Sequence, residues 1–459
     1  MFGFYFKREW TSLWTSPLKL AAILFFAVIS IWSVADGLSW YKNVQTVQAE
    51  TPANLLTDQD EWFADLARVE SGEETSPFVA QPISLTFLSV RPPSKLSPLA
   101  HGWESIHPHS ALTSGWRSEA SLFRRYEVEG PSVLRAGRMD LLFVVTVFLP
   151  LILLLLTFDV LSQERQAGRF RMFLVQGGSA RKLLLARILA TMIPLILIPS
   201  ICVLAVAIIT GATWSGAAIW ISSLLAYTLF WAALAALIAI AFRRPISGAL
   251  AILASWSLFV VLIPSGTQFL AQALYPVPSR VTYLTEAREA EGETRRNMNE
   301  RAEVYMAEHA GMTDVPIEGV PGFYRSAYLS NIDINAKTAP LIETFEAQQS
   351  SQRQFVRVVQ FLSPTLIFKD HLEQVSGTGA EQAAMFRAQA RDHLGVVLDA
   401  IGPATVSRSR ISKEAAEAIP QFAFQPRGVT FVSWMGMLFI LSVTVLILTP
   451  SLRRAKLLS

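Results

Sequence analysis

The chain has 459 residues, of which 52% are hydrophobic and only 16% are charged. Soluble globular domains carry about 25% charged residues, so this composition excludes an ordinary soluble enzyme and indicates a membrane protein with several spans. The net charge of +3 gives no reason to expect a nucleic-acid partner, and the single cysteine, Cys202, excludes an intrachain disulfide.

The first predicted element is an amphipathic helix within "FGFYFKREWTSLW". One helical face carries large apolar side chains at i, i+4, i+7 and i+8: Phe6, Trp10, Leu13 and Trp14. This pattern predicts a helix that lies along the inner surface of the membrane.

Six apolar stretches are long enough to cross a bilayer, which takes about 20 residues. They are 18–38, interpreted as an uncleaved signal anchor, 140–159, 183–209, 218–242, 246–266 and 429–449. Three polar segments remain between them: 39–139, 162–182 and 267–428.

The lysines and arginines of the short polar segments predict the orientation. With the N-terminus inside, the inner segments carry 14 basic residues against three acids, whereas acids outnumber bases in both long segments. We therefore expect a multi-pass protein of the bacterial inner membrane, with both termini in the cytoplasm and both long segments outside.

The long segments have patterns of their own. "LTDQDEWFADLARVESG" predicts a short amphipathic helix that begins near Thr57 and Asp58, and "ISLTFLSV" predicts a strand that ends at Pro92. Further helices are predicted over 279–311, 335–362 and 379–401.

The expected fold is mainly α, with six transmembrane helices and two extracytoplasmic α-rich insertions of α+β character. The expected parts are 1–38 (interfacial helix and first span), 39–139 (first outer domain), 140–266 (spans two to five, with the cytoplasmic loop 160–182), 267–428 (second outer domain) and 429–459 (last span and tail).

One loop, "HGWESIHPHS", could hold zinc or copper. Its candidate ligands are His101, Glu104, His107 and His109. No cysteine and no helical H-x-x-x-H spacing accompany them, and a polar surface loop explains the same residues. The sequence leaves both interpretations open.

No motif of a hydrolase, a dinucleotide-binding enzyme or a phosphate-binding loop occurs in the chain. Asp140 and Asp159 bracket the second span, so no acid lies at mid-membrane, where proton-driven transporters usually need one. The chain is therefore not expected to be an enzyme by itself or a secondary transporter.

The polar segment "SQERQAGRFRMFLVQGGSARK" joins the second and third spans. It resembles the cytoplasmic loop of ABC-2-type permeases, the membrane subunits of type V ABC exporters. The positions that match the family pattern are Ser162, Glu164, Gly168, Leu174, Gln176, Ser179, Arg181 and Lys182. The chain departs from the pattern where Arg169 replaces the usual threonine and where Gly177 and Gly178 replace the proline-containing turn.

The first outer segment resembles a subgroup of this family that has long outer domains. The matching positions in "RPPSKLSPLAHGWESIHP" are Arg91, Pro92, Gly102, Ile106 and Pro108. The subgroup's acid is replaced by Ser105, and Glu104 lies one residue before it. Before the last span, "FLSPTLIFKDHLEQVSGTG" with "FRAQARDHL" is also similar to the subgroup, so the resemblance covers most of the chain.

The resemblance implies a permease that is driven by a dimer of separate ATPase subunits, which hold the ATP and Mg²⁺, with no cofactor in this chain. It implies a second permease subunit, either an identical or a related chain. The implied ATPase-docking residues are Ser162, Glu164, Arg165, Gly168, Arg169, Arg171, Gln176 and Arg181. The implied residues of the translocation path are Phe143, Phe148, Phe259 and Gln268.

Two alternatives to export stay open. In one, ATP hydrolysis moves the outer domains against a periplasmic partner and nothing crosses the membrane, as in a transporter-derived mechanotransmitter. In the other, the histidine loop makes the chain a metal-binding membrane enzyme or sensor.

Overall fold

The computed structural model describes residues 2–102, 104, 108–123, 139–162, 165, 168, 175, 178–277, 280–308 and 320–457. This part of the chain is mainly helical and includes one two-stranded antiparallel sheet. The expectation of a mainly α fold is confirmed.

Five helices have the length and the apolar composition of membrane spans: Pro17–Glu50, Ala180–Thr210, Trp214–Ala241, Pro245–Leu274 and Phe431–Ala455. They coincide with five of the six predicted spans. The remaining prediction, 140–159, corresponds to a shorter apolar helix of 17 residues, α3 (Leu141–Thr157).

Two helices precede α3. The predicted amphipathic helix is α1 (Phe2–Thr15), and α2 (Pro17–Glu70) follows it as a single helix of 54 residues. The prediction of a separate helix that begins near Thr57 and Asp58 is therefore wrong. Trp62 and Leu66 are buried in the domain formed by the two long polar segments, which is called the outer domain after its predicted location. This packing keeps the chain helical through residues that often cap a helix.

The centre of the membrane bundle is the hairpin of α4 (Ala180–Thr210) and α5 (Trp214–Ala241). Gly211, at φ +67°, ends α4 in the left-handed conformation that glycine adopts readily. The small residues of α5 are buried within the chain: Ala232, Ala235, Ala236 and Ala239. They therefore serve packing inside one chain.

The next span consists of α6 (Pro245–Trp256), a π-helical turn (Ser257–Leu262) and α7 (Ile263–Leu274). It is the least buried of the five spans. Only 11% of the residues in its most apolar 18-residue stretch are buried inside the protein, against 78% for α5.

The outer domain contains strands β1 (Thr86–Val90) and β2 (Ser110–Ser114), which pair with Thr86 opposite Ser114 and Val90 opposite Ser110. Its helices are α8 (Arg280–Arg296), α9 (Met298–Glu308), α10 (Gly322–Val359), α11 (Pro364–Val375), α12 (Ala380–Val406) and α13 (Lys413–Glu417). The last span is part of α14 (Phe431–Leu457).

Both long polar segments contribute to one outer core. Trp62 and Phe87 of the first segment are buried in the same cluster as Phe386 and Leu394 of the second. Asn331 also donates a hydrogen bond to the carbonyl of Gly115 at 2.6 Å. The two insertions therefore form a single packed unit in the described structure.

Helix α11 joins this unit to the membrane bundle. Its residues Ile367, Phe368 and Leu372 are buried in the core of the bundle. The ring of Phe368 stacks on that of Tyr227 in α5, with the centroids 4.2 Å apart. A movement of the bundle would therefore act directly on the outer unit.

Candidate functional site

One end of the helical bundle, the one predicted to face the cytoplasm, contains the predicted docking segment between α3 and α4. The structure describes Ser162, Arg165, Gly168 and Arg181 from the set of docking residues. The other members lie outside the described residues: Glu164, Arg169, Arg171 and Gln176.

Two residues that match the family pattern, Ser162 and Gly168, have structural roles at this turn. Ser162 is buried, and its hydroxyl donates to the carbonyl of Asp159 at 3.3 Å. Gly168 adopts a φ of +69°, and its N–H donates to the carbonyl of Arg165 at 3.2 Å. A residue with a Cβ is strained at this φ, so the spacing places a glycine where the turn requires one.

The surface around this turn is positive. Burial lowers the pKa of Arg165, and the nearby charge of Arg243 lowers it further. Arg181 and Lys182 are exposed in the first turn of α4, where the helix dipole disfavours cations. Such a surface is suited to contact with an acidic group of a partner.

An ion pair between Arg187 and the buried Glu9 lies where this segment meets the helices. Arg187 of α4 donates through Nε to the carboxylate of Glu9 in α1. Its Nη1 donates to the carbonyl of Leu156 at 3.1 Å and lies 3.7 Å from Oδ1 of Asp159. Arg187 thus connects the interfacial helix α1, the end of α3 and the start of the docking segment.

This connection is not evident from the number of charges in the inner segments, to which Glu9 and Arg187 contribute only as one acid and one base. A signal was present in the sequence. Glu9 lies three residues after Phe6 and four before Leu13, so it falls on the apolar face of α1. An acid on such a face becomes buried and needs a cationic partner, and Glu9 is only 2% exposed.

A second polar junction lies at the outer end of the bundle, in the histidine loop. Arg91 and Glu104 are both buried, with Nη1 and Oε1 3.8 Å apart. Glu104 therefore pairs with Arg91, although it lies one residue before the acid position of the subgroup pattern. The resulting pair fixes the loop that follows β1.

The histidines of this loop have contacts of their own. The Nε2 of His109 lies 3.0 Å from the carbonyl of Glu104, and its Nδ1 lies 3.4 Å from Nη2 of Arg91. His101 packs on Trp40, with ring centroids 4.9 Å apart, and its backbone N–H donates to Oδ2 of Asp140 at 2.8 Å. The remaining candidate ligand, His107, lies outside the described residues.

Burial determines the charge of these groups. Burial and the charge of Arg91 lower the pKa of His109 to about 3, against a weaker effect of its hydrogen bond to Glu104. Burial raises the pKa of Glu104 to about 7, although the charge of Arg91 opposes this shift. Within the described ranges, no group of three or more His, Cys, Asp or Glu could hold a metal ion. The contacts made by Glu104 and His109 are those of a structural junction.

The candidate residues of the translocation path fall into separate places. Phe148 contacts Phe143 and Phe25 of α2, with ring centroids 6.2 and 5.6 Å apart. Phe259 packs on Phe230 and Trp231 of α5, and Gln268 is exposed on α7. The described contacts of a single chain do not bring the four residues together.

A comparison with protein families gives one match. A model of a domain of unknown function, DUF3526, matches residues 280–425, which include most of the second outer segment. No curated protein matches the chain.

Proposed function

We propose that this protein is the membrane-spanning permease subunit of an ATP-binding cassette transporter, driven by a separate ATPase. The observation that carries the proposal is the polar segment after α3. A turn ends at Gly168, two basic residues that follow it, Arg181 and Lys182, are exposed, and Arg187 holds the start of the segment.

In this proposal α3 is the sixth span, and both termini lie in the cytoplasm of a bacterium. The bundle belongs to the inner membrane, and the outer unit lies in the periplasm. The chain catalyses no reaction, since ATP and Mg²⁺ are bound by an ATPase dimer. A second permease subunit, identical or related, completes the path for an exported substrate.

The described contacts provide a route for coupling. A force on the docking segment acts on Asp159 and, through Arg187, on α1, α3 and α4 together. Coupling of this kind requires a contact that differs between two states of the complex. The change from the open to the closed ATPase dimer supplies these two states.

The substitution Glu164→Lys tests the docking role. Loss of one partner from a buried, hydrogen-bonded charge pair at an interface typically costs about 2–5 kcal/mol. We expect the affinity for the ATPase to fall by a factor of about 30 or more, since 1.4 kcal/mol corresponds to tenfold. Co-purification of the ATPase with the permease from membranes measures this effect.

The matched control is Glu70→Lys, the same charge reversal at an exposed position where α2 ends in the outer unit. We expect the control to retain the ATPase and both variants to insert into the membrane. Equal recovery of the ATPase with wild-type and Glu164→Lys protein would contradict the proposed docking surface.

A second candidate function is mechanotransmission, and one observation favours it. The single helix α2 spans about 80 Å. It runs from the interfacial helix α1 to Trp62 and Leu66, which are buried in the outer core. A continuous helix of this length would transmit a movement from the cytoplasmic side to the outer unit without a flexible joint.

Spin labels at Ser71, just after α2, measure the movement of the outer unit in the assembled complex, and a structure of each nucleotide state shows whether the central path opens. An ATP-dependent change in the distance between two labelled copies is expected in either mechanism. A central path that stays closed in every nucleotide state would favour mechanotransmission, whereas an open path would favour export.

A further inference from the structure

A cavity of about 310 Å³ lies between the ends of α5 and α14. Its walls are apolar and come from both helices: Leu237 and Ile240 from α5, and Leu446, Ile447 and Pro450 from α14. Arg454 also lines it. Sites for small ligands start at about 300 Å³, so the cavity has room for part of a larger apolar molecule.

Pro450 gives a physical reason for the cavity. It lies inside α14 and has no N–H, so it cannot donate to the carbonyl of Leu446, and its ring crowds that carbonyl. Proline bends a helix at such a position. The two helices pack against each other along the bundle, and the cavity lies beside Pro450, where a bend is expected.

The two helices that line the cavity carry charges of one sign at this end. Neither α5 nor α14 contains an acidic residue, and Arg243 and Arg244 directly follow the end of α5. Arg453 and Arg454 lie one turn beyond Pro450 and are exposed. An occupant that complements this site has an apolar part for the walls and an anionic group for the arginines.

We propose that this cavity binds an anionic phospholipid, with an acyl chain between α5 and α14 and the phosphate at Arg454. Basic pockets between transmembrane helices on the cytoplasmic side are known to bind lipid headgroups. A free phosphate ion would leave the apolar walls uncovered, so the apolar lining favours a lipid. The assignment to the inner leaflet rests on the orientation proposed above, whereas the cavity and its chemistry do not.

The neighbouring arginines provide a matched test. Arg453 and Arg454 carry the same charge at adjacent positions, and only Arg454 lines the cavity. The full-length protein, purified in detergent and depleted of lipid, would be titrated with phosphatidylglycerol or phosphatidylcholine. Native mass spectrometry would count the lipids retained.

We expect wild-type protein to retain phosphatidylglycerol in preference to phosphatidylcholine. The Arg454→Gln variant should bind phosphatidylglycerol about fivefold more weakly, since one basic residue near a membrane surface contributes about 1 kcal/mol. The Arg453→Gln variant should bind like wild type. Equal losses in both variants would indicate a diffuse electrostatic attraction and overturn the proposal.

A second variant tests the cavity itself. Ala241 also lines it and is exposed, so Ala241→Phe narrows the cavity without placing a large side chain in the packed core. We expect this variant to lose the retained phosphatidylglycerol while its far-ultraviolet circular dichroism stays that of wild type. Undiminished retention would show that the lipid binds elsewhere. Neither measurement involves the ATPase, so failure here would leave the proposed function untouched.

Discussion

Two arginines, each paired with a buried glutamate, connect elements at the two ends of the bundle. Arg187 connects α1, α3 and α4 on one side of the membrane bundle, and Arg91 holds the histidine loop on the other. A buried ion pair adds little to stability when complete, because both ions lose their hydration. Removal of one partner is costly, because the other charge then remains buried and unpaired.

The substitution Arg187→Gln should therefore destabilise the protein. Glu9 would stay buried against apolar side chains without its ion-pair partner, at a cost of about 3–5 kcal/mol. Thermal unfolding in detergent measures the loss as a lower Tm. Arg181→Gln removes the same charge from an exposed position of α4 and should leave Tm within about 1 °C of wild type.

The double variant Glu9→Gln/Arg187→Gln checks the cause. The second substitution removes the unpaired charge at position 9, and only Asp159 still lacks Arg187, so Tm should recover part of the loss seen with Arg187→Gln alone. A double variant that is less stable than Arg187→Gln would show that the packing of the arginine stem, and not its charge, holds α1 in place.

Glu104 should make stability depend on pH. Burial raises its pKa to about 7, so the folded protein holds this proton at pH values where the unfolded chain has lost it. The stability that the protonated Glu104 contributes is fully present below pH 4.5, the ordinary pKa of a glutamate, and is lost as the pH rises through about 7. Tm of wild type minus Tm of Glu104→Gln should therefore fall between pH 5 and pH 8.

The comparison with Glu104→Gln removes the contributions of all other titrating groups. Glu70→Gln makes the same substitution at an exposed position and serves as the control. A constant difference for Glu104→Gln would mean that this carboxyl group is not buried as described.

At the scale of elements, local sequence patterns predicted the membrane helices but failed where contacts between distant residues determine the structure. Hydropathy alone located five spans, and alternation located β1. The continuity of α2 depends on Trp62 and Leu66 in a core completed by residues more than 300 positions away. The Arg187–Glu9 pair joins positions 178 residues apart, so no short-range pattern specifies either feature.

Close contacts between elements give a further prediction. Gly37 lies inside α2, where an added Cβ would be 2.2 Å from the carbonyl oxygen of Pro98 in the outer segment. We expect Gly37→Ala to force this loop away from α2 and to lower Tm. Gly395→Ala, inside α12, places its Cβ in open space and should stabilise by up to about 1 kcal/mol.

These two substitutions share one chemical change inside a helix, so helix propensity acts in the same direction in both. Limited proteolysis with trypsin would show whether cleavage after Lys95, which is exposed in the wild-type loop, becomes faster in Gly37→Ala. Unchanged cleavage together with an unchanged Tm would contradict the close approach of α2 and the loop.

At the scale of the whole molecule, the shared outer core constrains the topology. Residues of both long polar segments are buried in one cluster, and Arg410 donates to the carbonyl of Ser76 at 2.9 Å. Two segments that share a core must lie on the same side of the membrane. Packing therefore supports the placement of both long segments on one side of the membrane, which the number of basic residues had predicted independently.

The last prediction tests on which side of the membrane each polar segment lies. Cys202 would be replaced by serine, and single cysteines would be introduced at three exposed positions: Ser71, Val175 and Ala347. In sealed cells that produce this protein without a partner, an impermeant thiol reagent that crosses the outer membrane should label Ser71→Cys and Ala347→Cys equally. Val175→Cys, 88% exposed in the docking segment, should be labelled only after the inner membrane is permeabilised. Labelling of Val175→Cys in sealed cells would contradict the orientation, and labelling of only one outer position would contradict the shared core, so the two conclusions fail separately.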